Sequence, residues 1–402
     1  MHRTLKKYCV EARFLHEIRK HIDYFISWIV KLILAKNAEI DSNKIVFMTY
    51  NNDFICNPKY IAEEIIRQGI NWDLVWVVPK KGSMLKSHFP EKIRRVRRDS
   101  YEAFEEIISA KVWIDNSVNF AWNPIYKKRG QIYIETWHGS MGIKRAGAGD
   151  VQNKRWVKAA KISGRQVDYC ISNSSFENGV YNDTHWRKAE KLLYGHARND
   201  CLFKSTEIEE AKRKLCAEYD IDANCSIILY APTFRDDGRL DCYDINYERI
   251  LESVRQRFGG KWIIFLRLHF HNRKDKIANL PENVINVTNY IDMQELMMAA
   301  DVGITDYSSW AYDYILMRKP LFIFATDIDE YNNERGLYYP LEETPFSIST
   351  NNNQLSRAIS DFDDEVYQEK IKFFLDKMGC CEDGHAAERI VSLLKKLMQN
   401  NE

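Results

Sequence analysis

Four short stretches of this chain carry residues whose types and spacing could do chemistry. In the first, ETWHGSMGIK (135–144), His138 follows the strand-like run QIYIE, and Gly139, Ser140, Gly142 and Lys144 surround it. A histidine titrates near neutral pH, so at a strand mouth it is a candidate general base, although a lone histidine is more often structural. In LYAPTFRDD (229–237), Pro232 ends a strand and Thr233 and Arg235 follow at its C-terminal edge. Arginine suits bidentate phosphate binding, while a solvated Arg–Asp loop would read the same way. In FLRLHFH (265–271), strand alternation puts Arg267, His269 and His271 on one face, a cation and two imidazoles suited to a diphosphate. Two histidines can ligate a metal, but no third ligand stands at a helpful spacing and no carboxylate cluster is visible, so neither metal nor other cofactor is expected. In DVGITDYSSW (301–310), Ser308 and Ser309 fall where a strand turns into a helix, a place that receives anions and equally a place for a plain N-cap serine.

These stretches need elements to hold them. From residue 43 the sequence alternates strand-like runs (KIVFMT, LVWVV, KVWID, QIYIE, VDYCIS) with helical ones such as PKYIAEEIIRQ and SYEAFEEIISA, the latter with Ser100 as N-cap. A second series starts near 190 with KLLYG and runs through SIILYAPT, WIIFLRLH, VINV, DVGIT and PLFIF. Residues 352–398 read as helical. Such alternation predicts α/β architecture with mostly parallel sheets, and two such units with a cleft between them form the GT-B arrangement. Ligands of open α/β sheets bind beyond the C-terminal strand ends, where all four stretches fall. The expected division is 1–43, an amphipathic helical segment; 44–195, an acceptor-side Rossmann-like domain; and 196–402, a nucleotide-donor domain with C-terminal helices.

The 402 residues exceed what one core serves, and 45% hydrophobic with 29% charged content describes a globular chain. A net charge of +1 and the lack of a recognition motif argue against nucleic acid. Nine cysteines without a CxxC pair read as reduced thiols of a cytoplasmic protein. The strongest apolar run, Ile22 to Leu34, is interrupted by Asp23 and Lys31 and is too short to span a bilayer, which takes about 20 residues. Its basic flanks suit a helix lying on anionic lipid, and a helix packed on the protein's own core fits as well.

Together the four stretches resemble the CDP-glycerol glycerophosphotransferase family of teichoic acid primases and polymerases. The family elements appear in order as Thr136-Trp137-His138-Gly139, Tyr230-Ala231-Pro232-Thr233-Phe234-Arg235-Asp236, Arg267-Leu268-His269 and Thr305-Asp306-Tyr307-Ser308-Ser309. Weaker echoes are Asn57-Pro58-Lys59, Arg198-Asn199-Asp200, and Asp383-Gly384 followed by Glu388-Arg389-Ile390, so the resemblance runs over about residues 44–395. It implies a GT-B enzyme, peripheral on the cytoplasmic face of the membrane, that moves glycerol phosphate from CDP-glycerol to a lipid-linked glycan or polymer acceptor with release of CMP. It further implies His138 as catalytic base and His269, with Arg267, on the diphosphate. Thr233, Arg235, Ser308 and Ser309 would hold phosphate, and Asp313 the ribose or cytosine. Gly139, Ser140 and Lys144 would face the acceptor. Ser140-Met141 replaces the family's usual Thr-Pro, which leaves the acceptor open. CDP-ribitol as donor, or a GT-B glycosyltransferase using a nucleotide sugar, are the alternatives.

Overall fold

The computed structural model describes residues 29–80, 87–122, 126–142, 145, 154–233, 235, 244–268, 280–334 and 336–399. Of the expected amphipathic segment 1–43, residues 1–28 lie outside the described residues. A helix, α1, follows at 29–37.

Two wholly parallel sheets organise the chain. The first contains β1 (Asp41–Phe47), β2 (Asp73–Val78), β3 (Ile93–Arg97), β4 (Ala110–Asp115), β5 (Ile132–Glu135), β6 (Tyr169–Ser172) and β7 (Glu190–Leu193), in the order β3-β2-β1-β4-β5-β6-β7. The second contains β8 (Cys225–Tyr230), β9 (Lys261–Leu266), β10 (Val284–Asn286), β11 (Val302–Thr305), β12 (Leu321–Phe324) and β13 (Ser347–Ser349), in the order β10-β9-β8-β11-β12-β13. Both reverse direction beside their first strand, at β1/β4 and β8/β11, which are the topological switch points where open α/β sheets bind ligands. Strands β4, β8, β11 and β12 are buried almost from end to end, as parallel strands covered by helices on both faces must be.

Helices cover the sheets: α2 (Cys56–Arg67), α3 (Tyr101–Ser109), α4 (Lys154–Ser163) and α5 (Ser175–Asp183) in the first series; α6 (Ser205–Glu218), α7 (Tyr247–Phe258), α8 (Met293–Ala299), α9 (Trp310–Tyr314) and α10 (Ile328–Glu334) in the second. Helices α11 (Asn352–Ser360), α12 (Asp364–Met378) and α13 (Ala386–Gln399) finish the chain. Ser100 caps α3 as expected, its hydroxyl accepting the Ala103 N–H at 3.0 Å.

Three differences from the sequence expectation have physical causes. The basic run before residue 98 hides β3, whose IRRVR pattern buries only Ile93 and Val96 because it is an edge strand. KLLYG pairs with β6 and closes the first sheet instead of opening the second series. The helix expected over SWAYDYILMR is short: α9 tightens into a 3-10 turn over Ile315–Met317 and stops at Arg318, whose φ is +61°.

The first sheet buries two separate apolar faces. Alternate residues Val46, Met48, Trp113 and Tyr133 pack with α3, α4 and Trp186, while Ile45, Phe47, Val112 and Ile134 pack with α2 and with Ala387, Ile390, Val391 and Leu394 of α13. The last helix thus returns from the second sheet to close the core of the first. Leu394 is fully buried there. Leu394→Ala should lower stability by about 2–5 kcal/mol, read as a drop in the urea midpoint. An unchanged midpoint would mean α13 adds no packing energy to the first sheet.

Candidate active site

The connections after β1, β4 and β5 meet at the first switch point. His138 follows β5 and is exposed. Its Nδ1 lies 2.6 Å from the Asn116 carbonyl, which can only accept, so Nδ1 carries the hydrogen and Nε2 the lone pair. The imidazole sits between the rings of Tyr50, at 5.2 Å, and Trp137, at 4.3 Å. Asn116 is fixed from both sides. Its side-chain oxygen accepts the Tyr50 N–H at 2.9 Å, and its own N–H donates to Asp115 at 2.8 Å. The fully buried Asp115 carboxylate also accepts from the N–H groups of Ser117 and Asn119, the Asn119 amide and the Tyr133 hydroxyl. Burial pushes this carboxyl up and those donors pull it back. The basic nitrogen of the site is therefore aimed by a backbone carbonyl that a buried acid holds in place.

Trp137 sets the turn. Its φ is +51°, unusual for a bulky residue and a conformation that costs on the order of 1–3 kcal/mol. Its N–H donates to Glu135 at 2.8 Å, and its carbonyl, with that of Thr136, accepts from the Asn57 side chain at 3.0 and 2.9 Å. The indole folds back over Gly139, where a Cβ would lie 2.7 Å from its Nε1, and packs edge-on against Trp186 at 4.9 Å. Only glycine admits that approach.

The loop then crosses to the other sheet. Ser140 is buried, and its Oγ accepts from the Asn173 amide at 2.8 Å. Met141 is fully buried in the core of the second sheet, and its carbonyl accepts from Tyr339. A Cβ at Gly142 would stand 3.4 Å from that of Ser309. Ser140, expected on the acceptor side, turns its hydroxyl to the interior, because the next residue is anchored in the opposite sheet. Lys144 lies outside the described residues.

Arg198, which the sequence shows only within the echo Arg198-Asn199-Asp200, ties several of these loops together. It is 3% exposed. Its Nη2 donates to the Gly139 carbonyl at 2.6 Å, and its Nε to Asp313 at 3.1 Å. Burial works against its charge, and the Asp313 carboxylate more than offsets that. Asn199 donates to Asp313 at 2.9 Å and to Glu382 at 2.8 Å, and Asp200 accepts both Ala386 and Ala387 N–H groups to cap α13. His196 is fully buried between Glu177, 3.1 Å away, and Glu382. Asp313, expected at the nucleoside, is the buried counter-ion of Arg198.

On the second sheet, Arg235 is also buried. It binds Asp327 through Nε and Nη2 at 2.6 and 2.9 Å, approaches Asp306 at 2.9 Å, and lies over the stacked rings of Tyr307 and Tyr331. The Thr233 N–H donates to Asp306 at 2.7 Å. Both residues, expected on phosphate, also support the loops at the β8/β11 switch point through these contacts. Arg267 stands just beyond β9, half-buried. Across the cleft, Tyr50 is 41% exposed as a residue, yet its hydroxyl end is desolvated and pushed up to about 12, with the Arg267 charge pulling it down. Tyr50 thus packs on His138 and feels the Arg267 charge. Ser308 and Ser309 are half-buried at the start of α9. His269 and His271 lie outside the described residues. Of the expected site residues, His138 and Gly139 stand just after β5, Arg267 just beyond β9, and Ser308 and Ser309 at the start of α9, and the loop from His138 brings Gly142 up to Ser309. That arrangement suits transfer of a phosphoryl group to a hydroxyl.

Residues 29–396 match the family described as CDP-glycerol:poly(glycerophosphate) glycerophosphotransferase. A teichoic acid poly(glycerol phosphate) polymerase of Staphylococcus epidermidis is 30% identical over 90% of this chain and 52% of its own length. One of Bacillus spizizenii is 27% identical over 96% of this chain and 100% of its own length. This chain therefore spans about half of the first relative and all of the second. Among solved structures, a histidine-to-asparagine form of the wall teichoic acid polymerase TagF soaked with CDPG superposes with a TM-score of 0.80 at 25% identity, over 96% of this chain and 98% of that one.

Buried Glu382 should govern stability near neutral pH. Burial pushes its carboxyl from 4.5 up to about 7, against the pull of His196 and Asn199. A carboxyl raised on folding contributes stability that is complete below its unfolded value and is lost as pH climbs through about 7. Relative to Glu382→Gln, the wild-type protein should lose on the order of 3 kcal/mol across that window. Thermal melts from acid to mildly alkaline pH check this; parallel curves for the two proteins would refute it.

Proposed function

The chain belongs to the CDP-glycerol:poly(glycerophosphate) glycerophosphotransferase family, and on that premise we propose that it transfers glycerol phosphate from CDP-glycerol to a hydroxyl of a membrane-linked acceptor in teichoic acid or capsule-like polymer synthesis, releasing CMP. The observation that carries the reading is the His138 tautomer: Asn116 holds Nδ1–H, and the basic Nε2 belongs to an exposed ring packed beside Tyr50.

In this reading the acceptor hydroxyl gives its proton to His138 Nε2 as its oxygen attacks the β-phosphorus, and the bond to CMP breaks on the far side. Arg267, with His269 as the resemblance assigns it, neutralises the diphosphate, and Ser308 and Ser309 donate to its oxygens. Arg235, Thr233 and Asp313 act one step back, by fixing the loops. We divide the chain functionally into 1–43 at the membrane, an acceptor-side unit 44–195 and a donor-side unit 196–402, with α13 returning to the first sheet. None of the described helices is long and apolar enough to cross a membrane. Attachment is proposed to be peripheral, at the cytoplasmic face, through the amphipathic N-terminal segment, whose described end exposes Ile29, Val30 and Ile33.

CMP release should be seen with CDP-glycerol and a membrane extract; preference for CDP-ribitol, or UDP release from UDP-sugars, would replace the donor assignment. His138→Ala should lower CMP release by about 10²–10⁴-fold without unfolding. Near-wild-type release would remove His138 as base. Asp115→Asn turns an amide N–H toward donors, shifts the Asn116 carbonyl, and should cost about 10²-fold in kcat with KM for the donor little changed. A KM effect alone would show that Asp115 does not aim the base.

A further inference from the structure

A second charged cavity lies away from the cleft. It occupies about 240 Å³ between the C-terminal end of α4 and the connection from α5 to β7, and Lys161, Arg165, Arg187 and Lys188 line it. Both segments lead into strands, so the cavity lies at the edge where the strands of the first sheet begin, whereas His138 lies where they end. It is not part of the active site.

Two of the four cations have an ordinary explanation. Lys161 and Arg165 stand at a helix C-terminus, where the dipole favours positive charge. Arg187 and Lys188 come from a different connection and have no such reason to be there. Gly164 forces the two segments together: a Cβ at that residue would lie 1.8 Å from the His185 carbonyl oxygen, so no side chain could separate them. Among the described residues none of the four cations forms an ion pair, although all four are exposed. His185, in the same cavity, is lowered by burial and then by Lys161. Unneutralised cations held together by packing repel one another, and an anion relieves that repulsion. At this volume the cavity suits one small head group, being below the range of about 300–1,000 Å³ usual for whole ligands.

The surroundings indicate where that anion comes from. α1, α4 and Trp186 pack on the same apolar face of the first sheet, and α1 exposes Ile29, Val30 and Ile33. A line of contacts runs along the sheet edge from α1 to the cavity. Lys128 Nζ donates to the Ala38 carbonyl at 2.6 Å, and the Lys127 N–H donates to Gln166 at 2.6 Å, next to Arg165. Exposed Arg129 lies on the same stretch. Apolar side chains at one end and an anion cavity at the other match a surface that rests on anionic lipid.

We propose that the cavity lined by Lys161, Arg165, Arg187 and Lys188 binds the phosphate of an anionic lipid headgroup and so sets which edge of the first sheet meets the membrane. This rests on the peripheral attachment proposed above. The test is co-sedimentation of full-length protein with phosphatidylglycerol–phosphatidylcholine vesicles. Arg187→Ala/Lys188→Ala should weaken binding about 30-fold, at about 1 kcal/mol per basic residue. A variant with two charges removed elsewhere, Arg213→Ala/Lys261→Ala, should bind as wild type, and CMP release on a soluble acceptor should be unchanged in both. Equal losses in the two variants would assign the effect to net charge and overturn the cavity. Undiminished binding by the cavity variant, while wild type still needs the anionic lipid, would overturn the cavity and leave peripheral attachment standing. Failure of the wild-type protein to bind vesicles would overturn both. Unchanged vesicle binding with a raised KM for a soluble glycerol-phosphate oligomer would give the cavity to the acceptor chain and overturn the lipid assignment.

Discussion

The buried ion pair between Arg198 and Asp313 is the constraint on which the cleft depends. A guanidinium that is 3% exposed is tolerable only with a partner and full hydrogen bonding, since an unpaired buried charge costs several kcal/mol. Each of its contacts also belongs to a separate part of the site. Its carboxylate partner is on α9, its carbonyl acceptor is the residue after His138, and its own backbone N–H donates to Asn57, which holds the Trp137 turn. Satisfying one charge therefore sets the distance between the switch point of the first sheet and the helix that follows the switch point of the second.

His138 is exposed and owes its aim to groups that are not. A backbone carbonyl selects the tautomer, the buried Asp115 fixes that carbonyl, and a strained tryptophan turns the loop outward. The strain at Trp137 persists because Asn57, Glu135 and Trp186 each hold the residue from a different direction. Rigid placement of the groups around the reacting atoms is what phosphoryl transfer asks of a protein.

Much of this was legible in the amino-acid sequence. Continuous apolar runs announced parallel strands, and the glycine-rich turn at His138 announced a strand mouth. The strand Ile93–Arg97 was not visible, because an edge strand with alternating arginines has the composition of a loop. The ion pairs of Arg235 and Asp313 were not legible either. A sequence shows that an arginine follows a strand; it does not show that Asp306 and Asp327, 71 and 92 positions on, close around it. Asn57 and the Arg198–Asp200 run were visible as echoes, but their meaning lies in contacts more than 100 residues away for Arg198 with Asp313 and for Asp200 with α13. Long-range polar pairing leaves no periodic trace, whereas burial of whole strands does.

The two sheets are interlocked in both directions along the chain. Met141, from the segment of the first sheet, is fully enclosed in the core of the second, and α13, after the last strand of the second, completes the core of the first. A cut at residue 195 would open both cores at once. The heritable unit of such an enzyme is consequently the whole pair: a gene exchange between relatives that trades one sheet for another must bring along a methionine from the far side and a helix from the far end, or it inherits two cores that do not close.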